Sequence, residues 1–283
     1  VATAKIQNLA VTTAKIADNA ITAAKLADNA IASDAQSNTV AGTNAGDSFT
    51  GTDATGNTFY GYDSGTATTS GDYNTALGYQ ALRNNTIGTR NVAVGNNALD
   101  TNTEGEYNVA VGRNALYANT TADNNVAVGN DALTANTTGT NSVAVGYGAL
   151  DATTTANNNT AVGMNALGAN TASYNTAVGA GAGAANTSGD NNVAVGNGAM
   201  DANTTGGGNV AVGSDSLTDN TSGGSNTAIG YASLYENTTG GGNTAVGREA
   251  LKDNTTASDN TAVIKQMKTI LQVVITQPLV KPH

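Results

Sequence analysis

The chain has 283 residues, 39% hydrophobic but only 4% aromatic, with no Trp, no Cys and a formal net charge of −10. So few large side chains exclude a thick globular core, the missing Cys excludes disulfide and thiolate chemistry, and the acidic balance argues against a nucleic-acid or anionic-membrane partner. No apolar run reaches the length of about 18 residues that a membrane-spanning helix needs, so membrane insertion is not expected.

Residues 1–32 repeat a decapeptide: VATAKIQNLA, VTTAKIADNA, ITAAKLADNA, then IAS. Apolar residues recur every five positions at Val1, Ile6, Val11, Ile16, Ile21, Leu26 and Ile31, a period that fits neither a heptad seam nor strand alternation. Short helical turns with Thr12 or Thr22 as N-cap and Asn19 or Asn29 as a left-handed stop are one solution. Turns that short need partner chains. The segment is therefore expected to be a thin shaft. The chain opens at Val1 without Met or a signal peptide, as expected for an internal piece of something longer.

Residues 33–73 form a transition. Asn57-Thr58-Phe59-Tyr60-Gly61 is a variant unit one period before Asn74, and Asn38-Thr39-Val40-Ala41-Gly42 is a looser one 19 residues earlier. Phe59 and Tyr60 replace the usual small residues, as expected of atypical capping coils.

Residues 74–263 repeat N-[TV]-A-[VIL]-G-x-x-[AS]-L-x-x-N-T-T-G-x-x with units opening at Asn74, Asn91, Asn108, Asn125, Ser142, Asn159, Asn175, Asn192, Asn209, Asn226, Asn243 and Asn260. Ten steps are 17 residues and the step from Asn159 to Asn175 is 16. A polar composition of this kind also suits disorder, but a disordered chain has no reason to keep Val, Ala and Leu in phase. The period predicts an all-β, parallel β-roll or β-solenoid of 17-residue coils, in which each coil buries its apolar face only by stacking. With coils about 4.8 Å apart, fourteen units make a rod on the order of 65 Å long.

Within a unit, Asn91-Val92-Ala93-Val94-Gly95 reads as a short strand, with Val92 and Val94 on one face and Ala93 on the other. Gly95 makes a corner, Leu99 enters the core, and Asn-Thr-Thr-Gly makes a second turn. Stacked first-position Asn residues are expected to form an amide ladder. The third position is Ala in all twelve units from Ala76 to Ala262. Because Ala is a mediocre strand former, this constancy predicts close contact with another surface. Ala93, Ala110, Ala127, Ala144, Ala161, Ala177, Ala194, Ala211, Ala228 and Ala245 are accordingly expected at a subunit interface in an obligate oligomer.

The repeat resembles the head repeats of trimeric autotransporter adhesins, over about residues 38–263, although those units are usually shorter and the extra length here lies in the Asn-Thr-Thr-Gly turn. The T-[TA]-A-K-[IL]-A-D-N-A-[IV] decapeptides and the long NTAVGxxALxxNTTG arrays are similar to those of bacteriophage tail fibres. The resemblance implies a left-handed coil, a homotrimer, and a place on a virion or cell surface where a fibre carries a receptor-binding end toward a polysaccharide or protein receptor. The autotransporter membrane anchor, neck and coiled-coil stalk are not visible in this sequence.

Residues 264–283, IKQMKTILQVVITQPLVKPH, leave the pattern. An amphipathic capping strand is one reading. Another comes from codons: DNA encoding the repeat peptide NTTGSNNTAVG can be written so that its second frame spells ILQVVITQPLV, the sequence of residues 270–280. The tail is therefore expected to be out-of-frame repeat sequence.

No catalytic constellation is present. The only His is His283, in that tail, and no phosphate loop is found. Asp131, Asp151, Asp201, Asp215 and Glu249 occupy variable positions, as expected of a solvated face rather than an acid/base pair. The glycine runs 206–208 and 240–242 read as turns. No enzyme activity, cofactor or metal is expected. Two surface features remain. Tyr79, Tyr117, Tyr147, Tyr231 and Tyr235 sit on turns, where their rings can stack on sugars or simply fill space. Thr pairs such as Thr137-Thr138, Thr204-Thr205, Thr238-Thr239 and Thr255-Thr256 form ranks like those of ice-binding solenoids, but they flank turns and lack a T-x-T strand.

Overall fold

The computed structural model describes residues 32–49 and 53–263; the decapeptide repeats before Ala32 and the tail after Val263 lie outside them. One short strand per coil stacks in sequence order into a 15-stranded sheet, from β1 (Ala32–Ser33) and β2 (Thr39–Ala41) to β15 (Thr261–Val263). β1 pairs antiparallel with β2. Every later pairing is parallel and in register, so that Ala93 lies opposite Ala110 and Val94 opposite Val111. No helix occurs among the described residues. The array is a β-solenoid, as its period requires.

The strands last three residues because Gly ends them. Gly95 takes φ 139° and a Cβ there would meet the Gly112 carbonyl oxygen of the next coil at 2.4 Å. The corner thus needs both the backbone freedom and the missing side chain. The chain then turns through two left-handed residues, Asn97 at φ 55° and Leu99 at φ 51°. Left-handed Leu is costly, on the order of 1–2 kcal/mol, and recurs at Leu116, Leu133, Leu150 and Leu234. Full burial of the side chain and a 3.0 Å hydrogen bond from the Leu99 N–H to the Ala115 carbonyl offset it. A third left-handed site precedes each first-position Asn, as at Tyr107 (φ 57°) and Asn124 (φ 60°). After Gly, which holds the site at Gly208 and Gly242, Asn and Asp tolerate this conformation best.

The core is thin and belongs to one chain. Ala93, Ala98 and Leu99 are fully buried, and so are their equivalents along most of the rod. This corrects the expectation for the third-position alanines. Ala93, Ala110, Ala127, Ala144, Ala161, Ala177, Ala194, Ala211, Ala228 and Ala245 are all at 2% exposure or less within the single chain. They cannot touch a second subunit. The small residue is required because the strand lies directly over the Leu side of its own coil, leaving no room for a longer side chain. Val92 and Val94 are the residues that face outward.

Volume is conserved where this pattern changes. In the second capping coil Phe59 takes the Ala position and Gly65 the Leu position, and a Cβ on Gly65 would meet the Phe59 ring at 2.3 Å. Phe59 also stacks on Phe49 at 5.5 Å. Asp34 closes the first described turn by accepting hydrogen bonds from the backbone of Gln36 and Asn38 and from the Asn38 side chain.

Two buried amide ladders run along the rod, the second from Asn85 onward, interrupted only in the coil that carries Ser142 and Thr153. In the first, Asn108 donates its backbone N–H to Asn91 Oδ1 at 3.0 Å and its side-chain amide to the Ala122 carbonyl at 2.7 Å. In the second, Asn220 Nδ2 donates to Asn203 Oδ1 at 2.7 Å and to the Gly223 carbonyl at 2.9 Å. Where the ladders are intact, each buried amide bonds the coil before it and its own turn, so polar residues can replace hydrophobic volume in a narrow core.

Candidate functional site

Three lateral surfaces follow from this coil: the outer sheet face, the threonine edge, and the flank beyond the Gly corner. On the sheet face, two ranks of side chains point outward at the second and fourth positions. The second rank is built from Thr and Val, as at Thr75, Val92, Val126, Val143, Thr160 and Val210. The fourth runs from Leu77 through Val94, Val128, Val162 and Ile229 to Val263. No charged residue interrupts either rank between Thr75 and Val263. Leu77, Val128, Val162, Val178, Ile229 and Val263 are exposed in the single chain.

On the threonine edge, the first hydroxyls of the Thr137, Thr204 and Thr238 pairs are bonded within the rod, while Thr138, Thr205 and Thr239 are exposed. Thr137 Oγ1 donates to the Thr154 carbonyl at 3.0 Å, Thr204 Oγ1 to Thr221 at 2.9 Å and Thr238 Oγ1 to Thr255 at 3.0 Å. The inner rank's donors thus run along the axis and lock adjacent coils together, and the outer rank faces solvent.

The flank carries the tyrosines. Tyr79, Tyr147 and Tyr231 occupy the sixth position of their coils and Tyr117 and Tyr235 the tenth. Tyr79 stacks on Tyr62 of the preceding coil at 5.4 Å with rings 9° apart. Arg90 lies over both Tyr73 (5.6 Å) and Tyr107 (5.3 Å). Neither Tyr62 nor this trio was singled out from sequence, although the 17-residue spacing already places Tyr62 with Tyr79 in one rank and the trio in another, just before the first-position Asn. Tyr117 and Tyr147 sit on separate coils. Only Tyr231 and Tyr235 are brought together, around a concavity of about 320 Å³ that also takes in Asp215, Ala232, Glu236, Glu249 and Lys252. Arg248 lies over the Tyr231 ring at 5.4 Å and pairs with Glu249 at 3.1 Å.

The acidic residues divide into two groups. Asp131, Asp215 and Glu249 take left-handed turns, at φ 56°, 54° and 57°. Asp151 and Asp201 are pushed above the ordinary carboxylate value, first by burial. A hydrogen bond from the Ala202 N–H opposes that shift at Asp201, while Asp219 and Asp215 add to it. Asp100, at 1% exposure, is also raised by burial, against the attraction of Arg83 at 2.9 Å. Among the described residues no group of three or more His, Cys, Asp or Glu is placed to hold a metal ion. No helix there is long and apolar enough to cross a membrane. No protein family, curated protein or solved structure matches this chain.

Proposed function

We propose that the chain is a segment of a trimeric surface fibre, a tail-fibre shaft or adhesin head on a virion or cell surface. The observation that supports this reading best is the outer sheet face. The solenoid closes its own core with Ala and Leu, yet presents two uninterrupted, uncharged ranks of Val, Thr, Leu and Ile from Thr75 to Val263. Soluble chains rarely leave a contiguous apolar patch of more than a few hundred Å² open to water. Identical ranks on three copies pack in register about a common axis, because every coil contributes the same pair of side chains at the same height. The subunit contact thereby moves from the third-position alanines to the second- and fourth-position residues.

The function is mechanical. The two amide ladders and the coil-to-coil threonine bonds make a rod that resists bending, and three copies of a binding end at its tip raise avidity. The mass of the full chain in solution, measured by multi-angle light scattering, tests the reading. A stable trimer is expected. A folded monomer at micromolar concentration overturns it and favours a free-standing solenoid that binds along its flank.

A further inference from the structure

The flank beyond the Gly corner has a second feature that repetition alone does not require. The concavity around Tyr231 and Tyr235 has a neighbour of about 360 Å³, and Asp215 lines both. The second hollow forms where the coil opening at Asn175 has Ala180, Gly181 and Ala184, beside Met164 and Asn165 of the preceding coil and Asn197 and Asp201 of the next. Met164 stands on one side of it and Asp201 and Asp215 on the other. Together the two hollows run over six coils, from Asn165 to Glu249, about 24 Å at strand spacing.

We propose that this groove is a lateral binding site for a neutral, linear oligosaccharide lying along the rod. Ala232, buried at 4% exposure, forms a low floor between Asp215 of the preceding coil and Glu249 of the next. Tyr231 and Tyr235 line the same hollow from two different corners of one coil. Aromatic faces accept the C–H faces of a sugar ring, and carboxylates accept hydrogen bonds from its hydroxyls. The Arg248 guanidinium, paired with Glu249, rests over Tyr231 and favours one orientation of its ring before binding. Charge selects the ligand class. Asp201, Asp215, Glu236 and Glu249 line the two hollows against Lys252 and the Arg248 guanidinium over Tyr231, a net negative balance that disfavours sulfated and uronate glycans. The site lies beyond the corner from the outer sheet face and stays open if that face is covered. It therefore rests on neither the trimer nor a binding tip.

Isothermal titration of the full chain with cellohexaose, mannohexaose, chitohexaose and a heparin hexasaccharide tests the proposal. At least one neutral hexasaccharide is expected to bind with one site per chain, at least tenfold more tightly than its disaccharide. Tyr231→Ala with Tyr235→Ala is expected to weaken it at least tenfold with no change in melting temperature, since both rings are partly in solvent. Silence from all three neutral sugars, preference for the heparin fragment, or unchanged binding by the double variant overturns it. The oligomeric mass is read separately, so the fibre and the groove fail independently.

Discussion

Asn136 and Thr153 occupy the same place in successive coils, and the Asn136 amide oxygen is buried without a partner because Thr153 stands where the ladder needs a donor. Thr153 Oγ1 points the other way and donates to the Asn170 carbonyl at 2.8 Å. In intact stretches the same oxygen is used, as when Asn237 Nδ2 donates to Asn220 Oδ1 at 3.0 Å. The first ladder weakens in the same coil. Ser142 replaces Asn, and Asn159 reaches its hydroxyl at 3.3 Å rather than an amide oxygen.

Thr153→Asn should therefore stabilise the rod by about 1 kcal/mol, by giving Asn136 a donor and Asn170 an acceptor. Asn220→Ala should cost about 2–3 kcal/mol, because it strands Asn203 Oδ1 and leaves Asn237 Nδ2 only its bond to the Gly240 carbonyl. Urea midpoints of the two variants decide the matter: no shift in either would show that the ladder carries no stability.

Gly95→Ala should cost on the order of 3 kcal/mol, combining left-handed strain with a clash against the next coil's backbone. The carbonyl in the way cannot turn aside without breaking its own coil. Thermal melting measures it, and a drop in Tm of less than a degree would mean that the corner relaxes.

The placement of the third-position alanine inside the chain separates two substitutions. Ala144→Leu overpacks the core and should destabilise the folded chain by about 2 kcal/mol whatever the protein concentration. Val128→Lys with Val145→Lys sits on the outer face and should abolish oligomerisation while leaving the circular dichroism spectrum intact. Light scattering and denaturation together distinguish them; reversal of the two phenotypes would return the interface to the alanines.

Asp201 gives a pH dependence of definite sign. Its folded carboxyl lies above the ordinary value because of burial, with Asp219 and Asp215 contributing. The folded state then binds more protons than the unfolded one between the two values, so stability falls as pH rises through that window. The penalty is fully present at neutral pH. Asp201→Asn should raise Tm at pH 7 and lose that advantage as pH is brought below about 3.9, the unfolded value. A gain that persists at pH 3 would assign the effect to packing.

The period of 17 and the N-[TV]-A-[VIL]-G core were enough to give the solenoid, the strand in each coil, the Gly corner, the buried Leu and the first-position Asn ladder. These follow from local chemistry repeated in phase: Gly95 can only turn, and an Asn one coil from another Asn can only stack on it. The side of the strand that faces inward was not legible, because alternation of Ala with Val fits a core on either side. Only the stacked coil decides it, by leaving space for a methyl group over Leu99 and none for an isopropyl group. The same is true of the flank. Tyr231, Tyr235, Asp215 and Glu249 look like scattered turn residues in the sequence. Depth arises only when Ala232 lies between longer neighbours on adjoining coils, 17 residues away on either side. What the sequence alone determined is the repeating unit; the tertiary structure decided which of its faces remain free to bind, since burial in a solenoid is set by the neighbouring coil and not by the residue itself.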